Sequence, residues 1–368
     1  MSQRPTVRGL HARWPPGEPK TLRAVQPEQT TAELPRWVTL SGLELGADKP
    51  DFCNEAPGKL GEDFFIHRRP SFERVAEEGY AGVRIPFCWE RLQPRLGGPL
   101  DPGGIQDLRY MISAADRLDR KVLLAMHNAG RYRIPVDGAP VACGLDEQVG
   151  GSVRVYAEHF VEFWSRMSHA LCGLPNLQGY SLMSAASGLP PGTWQMIAQS
   201  VIDIIREDRN DIPIYVAGNH LARASTWIQD NPETPWIEDP QGQIVYETRC
   251  ALDHDESGRY EHSYAEERGR DPDIADRCRS RLQPFLDWLA GTGASGFVTD
   301  FSLPRDEDGW SLMLPKVLEA MQRSNVVSLC WSAEAHRFDD RPTTTKTRAS
   351  DQQRPKHIGL FRGGSRPA

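Results

Sequence analysis

The residues able to do chemistry in this chain gather where short apolar runs end. Glu44 lies in the run 38–46, Arg84 in 81–87, and His127 closes 121–127 with Asn128 beside it. Ser184 to Ser187 stand at the end of 177–184, Asn219 and His220 just past 212–218, and Glu247 and Arg249 at the end of 243–248. Asp300 lies near the end of 296–301, and Trp331 near that of 326–332. Carboxylates in such places can attack a substrate or move a proton. Arginine, histidine and amide side chains can hold a polar ligand.

What matters is whether one scaffold can bring these eight positions together. The runs are VTLSGLELG, AGVRIPF, KVLLAMH, LQGYSLMS, IPIYVAG, QIVYET, GFVTDF and VVSLCWS. Amphipathic stretches separate them at 70–79, 104–120, 155–171, 193–208, 278–291 and 310–324. Apolar strands alternating with helices predict an α/β fold, a closed (β/α)8 TIM barrel, over residues 37–336. Residues following each strand would then share the C-terminal face, where barrel enzymes keep their active sites. Phe160, Phe163, Trp164 and Met167 recur at helical spacing and read as core. Trp89, Trp194, Trp227 and Trp310 read as packing before stacking platforms.

The ends carry a different composition. Residues 1–36 are rich in Pro, Arg, Gln and Thr and read as a flexible segment. Residues 337–368 form a polar, basic tail that cannot bury enough apolar area to order itself. Such tails could serve as attachment points for a protein partner. The 368 residues are 39% hydrophobic and 25% charged, with a formal net charge of -7. These are values of an ordinary globular protein, and they give nucleic acid no support as the main partner. No apolar run is long enough to span a membrane. The start lacks the apolar segment of a secretory signal, which predicts a cytoplasmic protein, or a secreted one whose signal has been removed. Seven cysteines at 53, 88, 143, 172, 250, 278 and 330 include no C-x-x-C pair, so they read as structural thiols in a reducing compartment. DHDESG (253–258) lacks a full set of spaced calcium ligands, and neither metal nor cofactor is expected.

Several segments resemble glycoside hydrolase family 5, the cellulase family. GYAGVRIPFCWERLQP (79–94) resembles its second-strand signature, including the strand arginine at Arg84, and HNAGRY (127–132) its third. VAGNHLARASTW (216–227) and YETRCALDHDESGRY (246–260) resemble the fifth and sixth strands of the endoglucanase branch. CWSA (330–333) resembles the eighth, which places Trp331 at the sugar-platform position. The resemblance implies retaining hydrolysis of a β-linked glycan. A fourth-strand Glu within Asn-Glu-Pro would be the acid/base and a seventh-strand Glu the nucleophile, with the carboxyl groups about 5–5.5 Å apart.

The sequence departs from that pattern at both carboxylates. The fourth-strand segment reads SLMSAASGL, which puts Ala185 at the acid/base position. The seventh reads VTDFSLP, which puts Asp300 at the nucleophile position. Where the branch has His-x-Tyr on the sixth strand, this chain has Arg249 and Ala251. Loss of a general acid costs about 10²–10⁴-fold in rate. The expected protein is therefore a cellulase-like barrel that has lost glycosidase activity. It would bind a β-linked glycan or oligosaccharide, or act as a scaffold in polysaccharide metabolism, with Arg84, His127, Asn128, Arg249, Trp331 and Glu44 lining the cleft. An Arg249–Asp300 ion pair is expected at its floor. The alternative is an atypical hydrolase using Asp300 with a relocated carboxylate such as Glu44; Glu247, Asp253, Asp255 and Glu90 are further candidates.

Overall fold

All eight apolar runs become parallel strands in a computed structural model that describes residues 35–184, 186–208, 210–301, 309–322 and 326–332. They are β1 (Arg36–Thr39), β2 (Gly82–Phe87), β3 (Lys121–Met126), β4 (Leu177–Ser181), β5 (Ile214–Ala217), β6 (Ile244–Arg249), β7 (Ser295–Phe301) and β8 (Val326–Ser332). Each pairs in parallel with its sequence neighbours, and β8 pairs with β1 to close the barrel. The helices are α1 (Arg69–Glu77), α2 (Trp89–Leu92), α3 (Pro102–Asp116), α4 (Ala157–Leu171), α5 (Thr193–Glu207), α6 (Trp227–Asp230), α7 (Tyr264–Arg270), α8 (Ile274–Thr292) and α9 (Leu314–Gln322). Residues 1–34 and 333–368, and with them nearly all of both expected tails, lie outside the described residues.

The strands bury both faces, so two apolar clusters form. Inside the barrel, Trp37, Leu123, Tyr215, Val245 and Phe297 make one layer, with Phe297 edge-on to both Trp37 and Tyr215. Glycines on intervening strands make room for it. A Cβ at Gly82 would meet the Trp37 ring at 2.8 Å, and one at Gly179 the Tyr215 ring at 2.6 Å. Outward residues such as Val83, Leu124, Tyr180 and Val216 join the larger cluster with the helices. Phe160, Phe163, Trp164 and Met167 are fully buried there. Trp89, Trp194, Trp227 and Trp310 are core residues as well.

Two of these indoles also fix the strand ends that matter. Trp164 donates to the Leu182 carbonyl at 3.1 Å, and Trp194 to the Ala217 carbonyl at 2.7 Å. At the opposite end of the barrel, Arg206 grips Asp239 through two hydrogen bonds with both side chains buried. Burial works to raise the Asp239 carboxyl, but the Arg206 bonds and backbone donors hold it below its ordinary value.

The chain differs from the sequence reading in three places. β1 spans Arg36–Thr39, so Arg36 belongs to the barrel, and the expected strand over 40–46 is instead a turn. Gly42 packs where a Cβ would lie 2.6 Å from the Phe65 carbonyl, and Phe65 N–H bonds back to Gly42 at 3.3 Å. That return contact pulls the chain off the sheet. Cys88, which reads from sequence as part of the second strand, instead follows β2 at the N-cap position of α2; burial pushes its thiol well above the usual range. Finally, Arg131–Val136 and Ala139–Gly144 form an antiparallel hairpin after β3. Asp137 and Gly138 turn it with φ of 50° and 82°, as two-residue hairpins require.

Candidate functional site

A polar layer sits above the aromatic one. Arg84 on β2 is 1% exposed and donates to the Ser184 hydroxyl at 2.6 Å, just past β4. Ser181 on β4 donates to the Glu247 carboxylate on β6 at 2.7 Å, and Glu247 is 2% exposed. Burial, with the Glu247 charge beside it, pushes the Tyr215 hydroxyl up. Arg84 thus touches the mouth through Ser184, which stands where the family pattern has Asn.

The β2–β3 side of the mouth is a closed network. Asn128 accepts from the Trp89 N–H at 2.8 Å and donates to the Glu90 carboxylate at 2.7 Å. The other Glu90 oxygen accepts from the Arg133 N–H at 2.7 Å. Tyr132 packs edge-on against Trp89 and donates to the Gln93 carbonyl at 2.6 Å. Arg91 lies over the Phe64 ring, 4.0 Å from its centroid, and donates to carbonyls of the β1–α1 connection. Burial raises the Glu90 carboxyl against the pull of its Asn128 and backbone donors. Asn128, expected in the cleft, spends both ends of its amide holding α2 to β3. His127 is exposed at the end of β3.

The β5–β6 side is built otherwise. Ala217 pairs with Glu247 and Arg223 with Arg249, so residues 218–222 bulge opposite Thr248 alone. His220, Leu221 and Ala222 in this bulge have φ of 44°, 67° and 51°. Three successive non-glycine residues in the left-handed region cost about 1–2 kcal/mol each. Surrounding bonds enforce the shape. Asn219 is held by Asn231 and Asp230, and the Thr248 hydroxyl donates to the Ala222 carbonyl at 2.9 Å.

Beyond β6 the chain folds over itself. Asp253 accepts from the Ser257 hydroxyl and from the N–H groups of Gly258, Arg259 and Tyr260. Turn chemistry accounts for it fully. Arg281 on α8 binds the carbonyls of Ala251 and Asp253, both at 2.6 Å. Arg277 ties α8 to Glu267, Asp271 and the Leu252 carbonyl. Nothing in the charged pattern of the α8 segment singles out Arg277. Arg249 donates to the Ser257 carbonyl at 3.3 Å.

The expected carboxylate substitutes are each engaged elsewhere. Glu44 lies in the turn five residues past β1, and its carboxylate accepts from its own Gly42 N–H at 2.8 Å. It does not end a strand, because the chain has already left the sheet. Asp255 contacts Arg259 at 3.3 Å. Ala185 and the side chains of Asp300 and Trp331 lie outside what is described, and so does the expected Arg249–Asp300 pair. No group of three or more His, Cys, Asp or Glu residues suited to a metal occurs among the described residues. Six described cysteines are free, and Cys172 alone of these is exposed. No described helix is long and apolar enough to cross a membrane.

A parallel barrel with polar strand ends over a packed interior is the frame of many hydrolases, and comparison makes the class definite. Residues 54–337 match the cellulase family, glycosyl hydrolase family 5, and the chain belongs to it. Endo-beta-1,4-glucanase B of Emericella nidulans is 25% identical over 314 residues, covering 83% of this chain and 85% of its own. The endoglucanase Cel5A of Pseudomonas stutzeri, solved in complex with cellobiose, superposes with a TM-score of 0.68 at 26% identity. That match covers 88% of this chain and 94% of the other. XacCel5A, solved with cellopentaose, gives 0.67 at 23% identity over 82% and 90%.

Proposed function

We propose that this barrel binds a β-linked glycan at its C-terminal mouth and has given up hydrolysing it. The observation that carries the reading is the fate of the carboxylates. Ala185 stands at the acid/base position. Of the possible replacements, Glu44 bonds its own turn, Glu90 and Glu247 are buried in networks, Asp253 caps its loop and Asp255 pairs with Arg259. A retaining or inverting reaction needs a second carboxyl within about 5–9.5 Å of the first. Each of these five candidates is engaged in bonds of its own. The relatives solved with cellobiose and cellopentaose support a glycan as the occupant of the mouth.

The test uses two substrates. A β-1,4-linked oligosaccharide needs its leaving group protonated, whereas a dinitrophenyl glycoside does not. The expected result is binding of oligosaccharide by calorimetry, weakened by Trp331→Ala, with no turnover of it. Cleavage of the unactivated oligosaccharide that disappears in Asp300→Ala would overturn the reading.

A further inference from the structure

The β5–β6 side holds two cations with little to balance them. Arg223 and Arg249 are paired in parallel register, so their side chains leave the same face of the sheet. Val245 belongs to the interior layer, and the two-residue period carries that face up through Glu247 to Arg249. Both arginines are half-buried. The Arg223 Nε is buried and has no hydrogen-bond partner, and among the described residues no carboxylate lies within ion-pair distance of either guanidinium. Nearby acids are engaged elsewhere. Glu256 accepts from Ser225 at 2.7 Å and sits 3.5 Å from Arg281, Asp253 is consumed by its own loop, and Glu247 is bonded by Ser181. Asp300 follows Thr299, the register partner of Arg249, and its side chain lies outside the described residues. A half-buried cation without a counter-charge is costly to keep. Here it is kept by a strained turn, since the left-handed bulge at 220–222 is what returns the chain to register at Arg223. Strain held by surrounding bonds is found where geometry serves a function.

We propose that the Arg223–Arg249 pair binds a carboxylate of the ligand, so that the glycan is acidic: a β-linked oligosaccharide containing uronic acid. This rests on the glycan-binding reading above. A planar guanidinium fork matches a carboxylate through two hydrogen bonds, and an adjacent second fork selects it over a neutral hydroxymethyl group.

The decisive comparison pairs a β-1,4-linked glucuronic acid tetramer with cellotetraose, which have the same linkage and length and differ in the C6 group. Calorimetry on the wild-type chain should show the acidic tetramer bound at least tenfold more tightly, with a preference that shrinks as salt is raised. Arg223→Gln and Arg249→Gln should each bring the two affinities within about threefold, one lost charge-assisted bond being the difference. Arg249→Lys, which keeps the charge and loses the fork, should fall between. Equal or tighter binding of cellotetraose by the wild type would overturn the acidic assignment and leave glycan binding standing. Binding of neither tetramer would overturn both. A preference surviving in the double glutamine variant would also overturn it, by placing the carboxylate elsewhere. Inorganic sulfate competing as well as the tetramer at equal concentration would reduce the pair to a general anion site and overturn the glycan assignment.

Discussion

The two sides of the barrel mouth keep their charges in opposite ways. On the β2–β3 side, Glu90 is buried but both its oxygens are bonded, to Asn128 and to the Arg133 N–H. Glu90, Asn128 and Tyr132, which the family motifs supply, hold α2, β3 and the hairpin together. On the β5–β6 side, a strained bulge carries Arg223 beside Arg249 with no carboxylate for either among the described residues. A satisfied network rigidifies, whereas an uncompensated charge waits for a partner. The first side is a frame, and in the proposal above the second is a receptor. The signatures retained on β2 and β3 therefore build the frame, whereas Arg249 on the other side departs from the sixth-strand pattern.

Removing a member of the frame should have the largest effect. Asn128→Ala leaves the Trp89 N–H without its acceptor and Glu90 without one of its donors, in a buried setting. The expected loss is about 2–4 kcal/mol of stability, read as a lower urea midpoint. Arg249→Gln, on the other side, removes a half-buried charge that lacks a counter-charge, so stability should not fall and should rise by up to about 1 kcal/mol. Equal losses for the two variants would erase the distinction.

A second effect follows from Glu90 itself. Burial raises its carboxyl above the ordinary 4.5, with the Asn128 bond opposing. An acid raised on folding adds stability that is full below the unfolded value and fades as pH climbs through the folded one. Glu90→Gln removes that titration. The stability of wild type minus that of the variant should therefore decline as pH rises from about 4, then level off, with a slope no steeper than about 1.4 kcal/mol per pH unit. A difference that grows with pH would mean that Glu90 is stabilised as the anion, and the frame would rest on charge instead of on burial.

How much of this could be read beforehand depends on the range of the interactions involved. Strand and helix positions follow from local apolar periodicity, and each of the eight runs from VTLSGLELG to VVSLCWS supplied a strand. Where β1 stops was not legible, because it depends on Phe65 meeting Gly42 twenty-three residues later. The Asp137-Gly138 hairpin was legible from a local turn signal, yet an apolar-run reading passes over it, since RIPVDGAPV is too mixed to register as a strand pair. Ala185 and Asp300 could be singled out in advance because the resemblance supplies a motif to compare them with. Arg223 carries no such mark. Its importance comes from a five-residue bulge that places it opposite Arg249, and alternation counted along the chain assigns it to no face at all.

The smallest effect tests whether that bulge is strained. His220 is exposed with φ of 44°, so replacing it with glycine removes no packing and admits the left-handed conformation without a Cβ clash. Relief of about 1–2 kcal/mol is partly offset by the greater freedom of glycine in the unfolded chain, about 0.5–1 kcal/mol. His220→Gly should thus raise stability slightly, by about 0.5–1 kcal/mol. It should also weaken carboxylate binding, since the turn that holds Arg223 in register is loosened while both arginines remain. A gain in stability with undiminished preference for the acidic tetramer would separate the bulge from the arginine pair. A loss of stability would show that the three left-handed residues sit comfortably, and the contrast with the frame would then rest on charge alone.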